Sequence, residues 1–404
     1  MQKAQDIRKP RSAAMVDGAS RILQLVRAGQ AQTTSALAAA VGMARSTVNQ
    51  RLGYLADAGL IVTETVPSGG RGRPAAVSAF NPRGAYVLAA HLGLTGGRLA
   101  ATDLDGAVLA EGYFDIDLAT GPDRLLADLS DHFDRLVADA RLSGIRLAGV
   151  GVGVPRSVEL LGYLHALNLS GADWDRDHFS RALRERYRAP VHLDTDVNLL
   201  ALAERRRSWP DAEVLVCVKL GTLIDAAVVV NGVPVRGARH LAGELGHVKV
   251  GGPSEPCYCG GVGCLDAVAS GSALVRRMSS EGTGITHVSQ VVRYANGGMP
   301  EAVRALRDAG RHIGEALSYV VNLLNPDVIA VWGYLAEAET LLFSGIREGL
   351  YKGALPGSSE ALVLTGATLG DVAGVSGAAT LVIDEVLEPS TVDQMIIADG
   401  ETRP

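Results

Sequence analysis

Cysteine is scarce in this sequence, and long hydrophobic runs are missing from it. Four cysteines in 404 residues are too few for a disulfide scaffold of this size. There is no run of 18 or more apolar residues, and the opening MQKAQD has no signal-peptide hydrophobic core. We therefore expect a cytoplasmic protein with neither a membrane span nor a secretion signal. Hydrophobic residues make up 47% and charged residues 20%, which is enough for a sizeable core in two or three domains.

Positive charge is unevenly distributed along the chain. The net charge is −6, but residues 1–80 contain ten Lys or Arg against four Asp or Glu, a net of +6 that leaves −12 for the rest. A basic end on an acidic body indicates that this end meets a polyanion.

Residues 20–57 have a pattern typical of a helix-turn-helix DNA reader. An amphipathic helix ends at Gly29, hydroxyl residues at 33–35 offer an N-cap for a second helix, and Gly42 closes it. In the third helix Val48, Leu52 and Leu55 share one face, and the opposite face is polar, as needed for base edges and phosphates. The residues predicted to contact DNA from this helix are Arg45, Ser46, Thr47, Asn49, Gln50 and Arg51.

A wing hairpin is predicted to follow, with strands on either side of a Gly-rich turn at 68–70. In its loop Arg71 and Arg73 flank a glycine and are held extended by Pro74, so that they can enter the narrow minor groove of A·T-rich DNA. The alternative is a three-helix interaction module with a solvated basic loop. We favour DNA binding because the helix period, the tight turn and the wing occur together.

Residues 85–114 and 214–232 repeat one pattern of strand, Gly-containing loop, strand and tight turn. The turns are Asp105-Gly106 and Asn231-Gly232, the residue pairs of two-residue type I′ hairpins. Two copies of this unit, each followed by helical stretches, predict a duplicated α/β fold whose halves enclose a cleft. The paired Gly loops of such folds bind nucleotide phosphates through backbone N–H groups.

Residues 15–385 resemble the ROK family of repressors and sugar kinases, in its repressor form. The resemblance is carried by 151–155 (GVGVP), 168–171 (NLSG), 194–198 (DTDVN), 243–247 (GELGH) and 257–266 (CYCGGVGCLD). It implies an α/β protein in which a winged helix-turn-helix precedes a duplicated, actin-like and sugar-kinase-like body of two lobes. The expected units are a DNA-binding domain at 1–80, a first lobe at 81–200, a second lobe with the zinc motif and dimerisation helices at 201–387, and a flexible tail at 388–404.

The nucleotide-binding positions depart from the kinases of that family. Their first phosphate loop opens with Asp followed by Gly-Gly-Thr, whereas this chain has His91 at the Asp position and Leu94 where phosphate oxygens approach bare backbone. Their second loop reads Gly-Thr-Gly-x-Gly, but here it ends in Asp225, whose charge repels a triphosphate. The adenosine-side Gly-Gly-Gly is replaced by Trp332-Gly333-Tyr334, two rings where the nucleotide would lie. We therefore expect ATP binding to be lost.

The sugar-binding positions are better preserved. The resemblance implies that Asp196 matches the catalytic base, which accepts a hydrogen bond from the sugar hydroxyl. Thr195 and Asp266 replace the usual Asn and Glu, and each shortens a polar arm of a site that recognises hydroxyls. We predict that a carbohydrate-sized polyol binds; the alternative is an empty cleft whose polar residues satisfy one another. The predicted ligand-binding residues are Asn168, Thr195, Asp196, Glu244, His247 and Asp266.

Three of the four cysteines lie within eight residues, and a histidine precedes them. His247, Cys257, Cys259 and Cys264 supply one imidazole and three thiolates, a closed tetrahedral set suited to structural zinc. With all four positions taken by protein, no open position remains for catalysis. The alternative is a Cys257–Cys264 or Cys257–Cys259 disulfide, which the expected cytoplasmic location disfavours. Cys217 is expected to be an ordinary core residue.

These features predict a DNA-binding regulator of sugar metabolism, a repressor by its resemblance, that senses a sugar without using ATP. Its expected partners are a double-stranded operator, a sugar or sugar derivative, and further copies of itself in a homodimer or homotetramer, because two-fold symmetric operators need two readers. A second hypothesis is a ROK sugar kinase that phosphorylates a hexose with ATP and uses Asp196 as the base. A third is a constitutive DNA-binding or scaffold protein with an inactive pocket.

Overall fold

The structure, a computed structural model, describes residues 16–66, 75–94, 96–116, 120–155, 176–252 and 254–402. The N-terminal unit consists of α1 Ala19–Arg27, α2 Thr34–Val41, α3 Arg45–Asp57, β1 Ile61–Val66 and β2 Ala75–Phe80. The Thr33 side chain caps α2 by accepting the Ala36 N–H at 3.2 Å, and Gly42 ends α2 with a φ of 69°. Strands β1 and β2 pair in antiparallel fashion. The expected helix-turn-helix and wing strands are confirmed.

The first half of the body is a five-stranded mixed sheet with two helices. Its elements are β3 Ala85–Leu92, β4 Gly96–Asp103, β5 Val108–Asp115, α4 Pro122–Asp139, β6 Arg146–Val154, α5 Arg176–Tyr187 and β7 Val191–Thr195. The strand order is β5-β4-β3-β6-β7. Strands β3, β4 and β5 are antiparallel neighbours, whereas β6 and β7 run parallel to β3.

The second half repeats this arrangement. Its strands are β8 Val214–Leu220, β9 Ile224–Val230, β10 Val233–Pro234, β11 Val328–Trp332 and β12 Val363–Gly366, in the order β10-β9-β8-β11-β12. The helices from the end of β7 onward are α6 Asp196–Arg207, α7 Leu265–Ala269, α8 Gly271–Ser280, α9 Val288–Asn296, α10 Pro300–Leu324, α11 Glu339–Gly353, α12 Pro356–Ser359, α13 Ala373–Val386 and α14 Pro389–Thr402. Antiparallel pairing on one side of β8 and parallel pairing on the other confirm the duplication.

The two lobes share helices, and the expected boundary at residue 200 falls inside α6. Helix α6 follows the first sheet but packs on β8 and β9 of the second, and α13 returns from the second half to pack on β3 and β6 of the first. Leu199 of α6 is buried against α13, whereas Val197 is buried with the second sheet. Helix α6 thus contacts both sheets and α13 packs on the first, so the chain order does not separate the lobes.

The segment predicted as a flexible tail at 388–404 is instead the helix α14. It packs on α1 and also reaches α3, and Val392 and Ile396 are fully buried in the core of the N-terminal unit. Asp393 accepts hydrogen bonds from Ser20 at the start of α1. Val392 and Ile396 of α14 thus lie in one core with the described part of the N-terminal unit.

The two tight turns differ from each other. Asn231 and Gly232 have φ values of 49° and 80°, the left-handed pair of the predicted type I′ turn. In the other turn only Gly106 is left-handed, and Asp103 accepts the N–H groups of Asp105 and Ala107 at 2.9 Å. The type I′ prediction is thus wrong for Asp105-Gly106. Across the described ranges, no helix is both long and apolar enough to cross a membrane.

Candidate functional site

A cleft of about 200 Å³ lies where the Gly loops of the two sheets face each other. Both loops contribute to its wall, because each follows the first strand of its repeat. Its polar lining includes His91, Arg98, Asp196, Lys219, Glu244 and Asp371. Side chains of both lobes therefore meet in one cavity, and a bound molecule would touch both.

Asp196 is the buried carboxylate at the base of this cleft. Strand β7 ends at Thr195 and α6 begins at Asp196, so the carboxylate lies in the first helical turn, where the helix dipole favours negative charge. Its Oδ1 accepts the Val197 N–H at 2.8 Å, and its Oδ2 accepts from the Lys219 ammonium of β8. Lys219 thereby joins strand β8 of the second sheet to the carboxylate that follows strand β7 of the first.

A second buried carboxylate, Asp194, fixes the end of β7. Its Oδ2 accepts from Nε and an Nη of Arg236 at 2.9 and 2.7 Å, and its Oδ1 accepts from the Asn198 side chain at 2.7 Å. The paired Arg236 contacts and the Asn198 amide saturate this carboxylate, so its role is to hold the strand end that presents Asp196.

The predicted ligand-binding residues separate into two layers. Asp196 and Glu244 line the cleft, whereas Thr195 and Asp266 are buried behind it. Thr195 caps α6 by accepting the Asn198 N–H, and Asp266 accepts the Ile224 N–H at 2.7 Å, which positions the Gly loop before β9. Burial raises the pKa of Asp266 to about 7. The predicted Asn168 lies outside the described residues.

His247 connects the cleft to the cysteine cluster. Its Nε2 lies 3.2 Å from the Tyr258 hydroxyl and 3.7 Å from Glu244 Oε2, and both of these residues line the cleft. Its Nδ1 lies 3.7 Å from Cys257 Sγ. Nδ1 therefore faces the cysteine cluster, and Nε2 faces Tyr258 and Glu244 in the wall of the cleft.

The four predicted metal ligands meet in space. The ligand atoms of His247, Cys257, Cys259 and Cys264 all lie within 4.8 Å of one another, and the Sγ atoms of Cys259 and Cys264 are 3.6 Å apart. All four cysteines, which lie in the described part of the chain, are free thiols. One imidazole and three thiolates at this spacing fit a tetrahedral zinc ion. Cys217 is buried in β8, as expected.

The residues that replace the nucleotide-binding positions of the family's kinases line the cleft. Leu94 and Asp225 contribute to its wall, and so do Trp332 and Tyr334. The two rings also border a second cavity of about 460 Å³. The four replaced positions therefore lie together around one cleft.

The recognition helix α3 exposes most of the predicted DNA-contacting residues. The exposed ones are Arg45, Ser46, Asn49 and Gln50, and Thr47 is half-buried. Arg51 is different: it is 6% exposed and donates to the Asp17 carbonyl at 2.9 Å. Its predicted DNA contact is therefore wrong, since the helix turns this position towards the core of the unit. Arg71 and Arg73 lie outside the described residues.

Three further residues line the cleft that the sequence did not predict there: Lys219, Tyr258 and Asp371. Lys219 had a visible signal, because it is the one charged residue in β8 (VLVCVKL) and stands just before the Gly loop. Its partner on the other sheet was not readable from the sequence. Asp371 had no signal, since it follows the last strand and reaches the cleft only because α13 returns to the first lobe.

The fold and the cleft together define a sugar-kinase-like protein of two lobes that carries a helix-turn-helix. A family model described as "ROK family" matches residues 87–385, and one described as "Helix-turn-helix domain" matches 19–64. The chain belongs to the ROK family, and its N-terminal unit is a helix-turn-helix.

Relatives of this chain include both regulators and enzymes. It is 25% identical over 363 residues to a putative xylose repressor of Caldicellulosiruptor sp., covering 86% of this chain and 90% of that one. It is 29% identical over 279 residues to a glucokinase of Halalkalibacterium halodurans, covering 64% and 83%. The crystal structure of a ROK family transcriptional regulator, a homolog of the E. coli MLC protein, covers 96% of this chain and 100% of its own with a TM-score of 0.78 at 23% identity. The regulator structure thus shares the fold over almost the whole chain.

Proposed function

We propose that this protein is a transcriptional repressor of sugar-metabolism genes whose kinase-like body binds a sugar without using ATP. In this proposal a homodimer or homotetramer binds operator DNA through paired α3 helices and wings. A sugar that binds in the cleft lowers its affinity for DNA. One observation carries the proposal. The same chain has an exposed polar recognition helix, α3, and a cleft in which Asp196, at the position of the family's catalytic base, is ion-paired with Lys219.

The exposed face of α3 supports DNA binding. Arg45 and Ser46 stand in the first turn of the second helix of the helix-turn-helix, where side chains reach base edges and phosphates. Asn49 lies one turn further, hydrogen-bonded to Thr34 of α2 at 2.9 Å. An amide on this face can bind adenine bidentately once it exchanges that contact.

The cleft supports binding of a polyol in preference to phosphoryl transfer. Asp196, Glu244 and the Tyr258 hydroxyl offer acceptors and a donor to hydroxyl groups. A kinase would need Asp196 free to accept a proton, but its Oδ2 is paired with Lys219. Asp225 adds negative charge to the region where a triphosphate would have to bind.

Zinc at the cysteine cluster would have a structural role. His247, Cys257, Cys259 and Cys264 would complete its coordination, so the ion would supply a crosslink between the loop before the cluster and the start of α7. The protein residues would then do the binding: Glu244 and Tyr258, which flank His247, are set together at the cleft wall.

The test is a mobility-shift titration on the DNA that flanks the gene of this protein. The added sugars are D-xylose and D-glucose, chosen because one relative is named for xylose and another is a glucokinase. We expect binding without sugar and release by one of the two. Glu244→Gln should keep DNA binding and lose the sugar response, whereas Glu360→Gln, at an exposed carboxylate away from the cleft lining, should behave as wild type.

A kinase assay distinguishes the second hypothesis, which the glucokinase relative and Asp196 favour. With ATP, Mg²⁺ and either sugar we expect no turnover. Steady phosphorylation that Asp196→Asn abolishes would overturn the proposal. DNA binding that neither sugar alters would contradict the sensing role as well.

A further inference from the structure

The segment 370–402 begins in the wall of the cleft. A short 3-10 turn at Gly370–Val372 precedes α13, and Asp371 in this turn pairs with Arg98 of β4. The Gly370 carbonyl accepts from Trp332 Nε1 at 3.2 Å. Arg98 and Trp332, which both line the cleft, therefore hold the start of α13.

His91 is the closest link between the cleft and α13. A Cβ added to Gly374 would lie 2.1 Å from His91 Cγ, so the ring rests directly on the first turn of the helix. On its other side the ring meets Trp332 edge-to-face, with the centroids 6.0 Å apart. The ring lines the cleft beside Asp196 and Lys219, so a ligand in the cleft would contact it.

His91 also carries an unsatisfied polar atom. The residue is 8% exposed, and its Nε2 is buried without a hydrogen-bond partner among the residues that the structure describes. A buried nitrogen without a hydrogen-bond partner destabilises the folded protein, and a new hydrogen bond to it would remove this penalty. A ligand hydroxyl that shifts the Trp332 edge and reaches His91 would supply this bond.

Helix α13 is packed tightly along its length against the first sheet. A Cβ at Gly151 of β6 would lie 2.3 Å from the Ala378 carbonyl, and Asp384 pairs with Arg206 of α6. Fourteen residues span about 21 Å. A helix held this closely moves as a unit and carries a displacement of its first turn to its last.

The far end of the segment lies in the DNA-binding unit. Only Leu387 and Glu388 separate α13 from α14. Val392 and Ile396 of α14 are fully buried in the core of the helix-turn-helix, and Asp393 accepts from Ser20 of α1. The position of α14 therefore helps to set the position of α1 and α3.

We propose that residues 370–402 carry the ligand signal from the cleft to the recognition helix, with His91 as the ligand-binding residue that starts it. This inference rests on the proposed function and names its route of regulation. An effector hydroxyl bonds His91, the ring shifts against Gly374, and α13 and α14 change the placement of α3. The coupling is reciprocal, so bound DNA must weaken sugar binding by the same factor.

The test measures the coupling factor in both directions, with the flanking DNA and with D-xylose and D-glucose as probes. Wild type should show a factor of about 5-fold or more. Ile396→Ala should bring the factor close to one and leave sugar affinity without DNA unchanged. Gln394→Ala, at an exposed position of the same helix, should keep the wild-type factor. Unchanged coupling in Ile396→Ala would overturn the route.

Two His91 variants separate hydrogen bonding from packing. His91→Gln keeps a polar group near the place of Nε2 and should retain part of the sugar affinity, whereas His91→Phe keeps the ring volume and should lose it. Equal sugar affinity in His91→Phe and wild type would overturn the role of His91.

Hydrogen exchange keeps the test decisive if a variant does not fold. Saturating sugar should change the protection of peptides from 373–402 in the wild type; unchanged protection there would overturn the proposal. If wild-type DNA binding responds to neither sugar, the proposed function fails, and the inference with it. A sugar response that survives in Ile396→Ala refutes the inference alone.

Discussion

Acid is expected to destabilise this protein through His91. Burial lowers the pKa of His91 to about 4, because a buried imidazolium loses its hydration; Asp196 and Asp371 oppose the shift, whereas Lys219 and Arg98 add to it. The unfolded chain has the ordinary histidine value of 6.5, so it binds a proton that the folded state does not. The stability that neutral His91 contributes is complete above pH 6.5 and is lost as the pH falls towards 4.

The size of this effect follows from the two pKa values. At pH 5 the unfolded histidine is almost fully protonated and the folded one is not, which costs about 2 kcal/mol relative to neutral pH. We would measure urea unfolding of wild type and His91→Gln between about pH 7.5 and pH 5. Carboxylates and other histidines titrate in both proteins, so their contributions cancel in the difference.

The expected result is a smaller acid-induced loss in the variant, by about 2 kcal/mol at pH 5. His240→Gln, at an exposed histidine, serves as the control and should lose stability with acid as wild type does. Parallel pH dependence in wild type and His91→Gln would refute the reasoning, because it would mean that His91 is protonated equally in both states.

Three further predictions concern the metal, the DNA surface and the C-terminal helix. Cys259→Ser should lose bound zinc, measured by elemental analysis, without unfolding the helix-turn-helix first; one zinc per chain in this variant would show that the ligand set is wrong. Arg45→Ala should weaken DNA binding and lower the salt slope by about one. Arg51→Ala should instead lower the melting temperature, because the buried Arg51 side chain and its hydrogen bond to the Asp17 carbonyl are lost; the reverse pattern would contradict the assignment of these two arginines. Val392→Ala should destabilise the DNA-binding unit by about 2 kcal/mol in urea unfolding, and an unchanged midpoint would mean that α14 does not stabilise it.

The helix-turn-helix was predictable because its signals are local. A cap at Thr33, a left-handed Gly42 and the spacing of Val48 and Leu55 each act within a few residues. The same holds for the Asn231-Gly232 turn, since both positions need a left-handed backbone that these residues adopt readily.

What the sequence could not predict depends on distant partners. Helix α14 has Val392, Met395 and Ile396 at helical spacing, but the groove that they fill is formed by residues more than 300 positions earlier. The ion pair of Lys219 with Asp196 requires the relative placement of two sheets. The buried state of Arg51 depends on the Asp17 carbonyl of another element. Each of these three features depends on contacts between residues far apart in the sequence, and local sequence patterns do not determine such contacts.

The core that α14 shares with α1 and α3 has a consequence for synthesis. Domains that precede others in a chain ordinarily fold while the ribosome is still adding residues. Here the DNA-reading unit needs Val392 and Ile396 of α14 for its interior. It is therefore completed only after α14 has been translated, and a chain whose translation stops before α14 does not yield a finished DNA-binding surface.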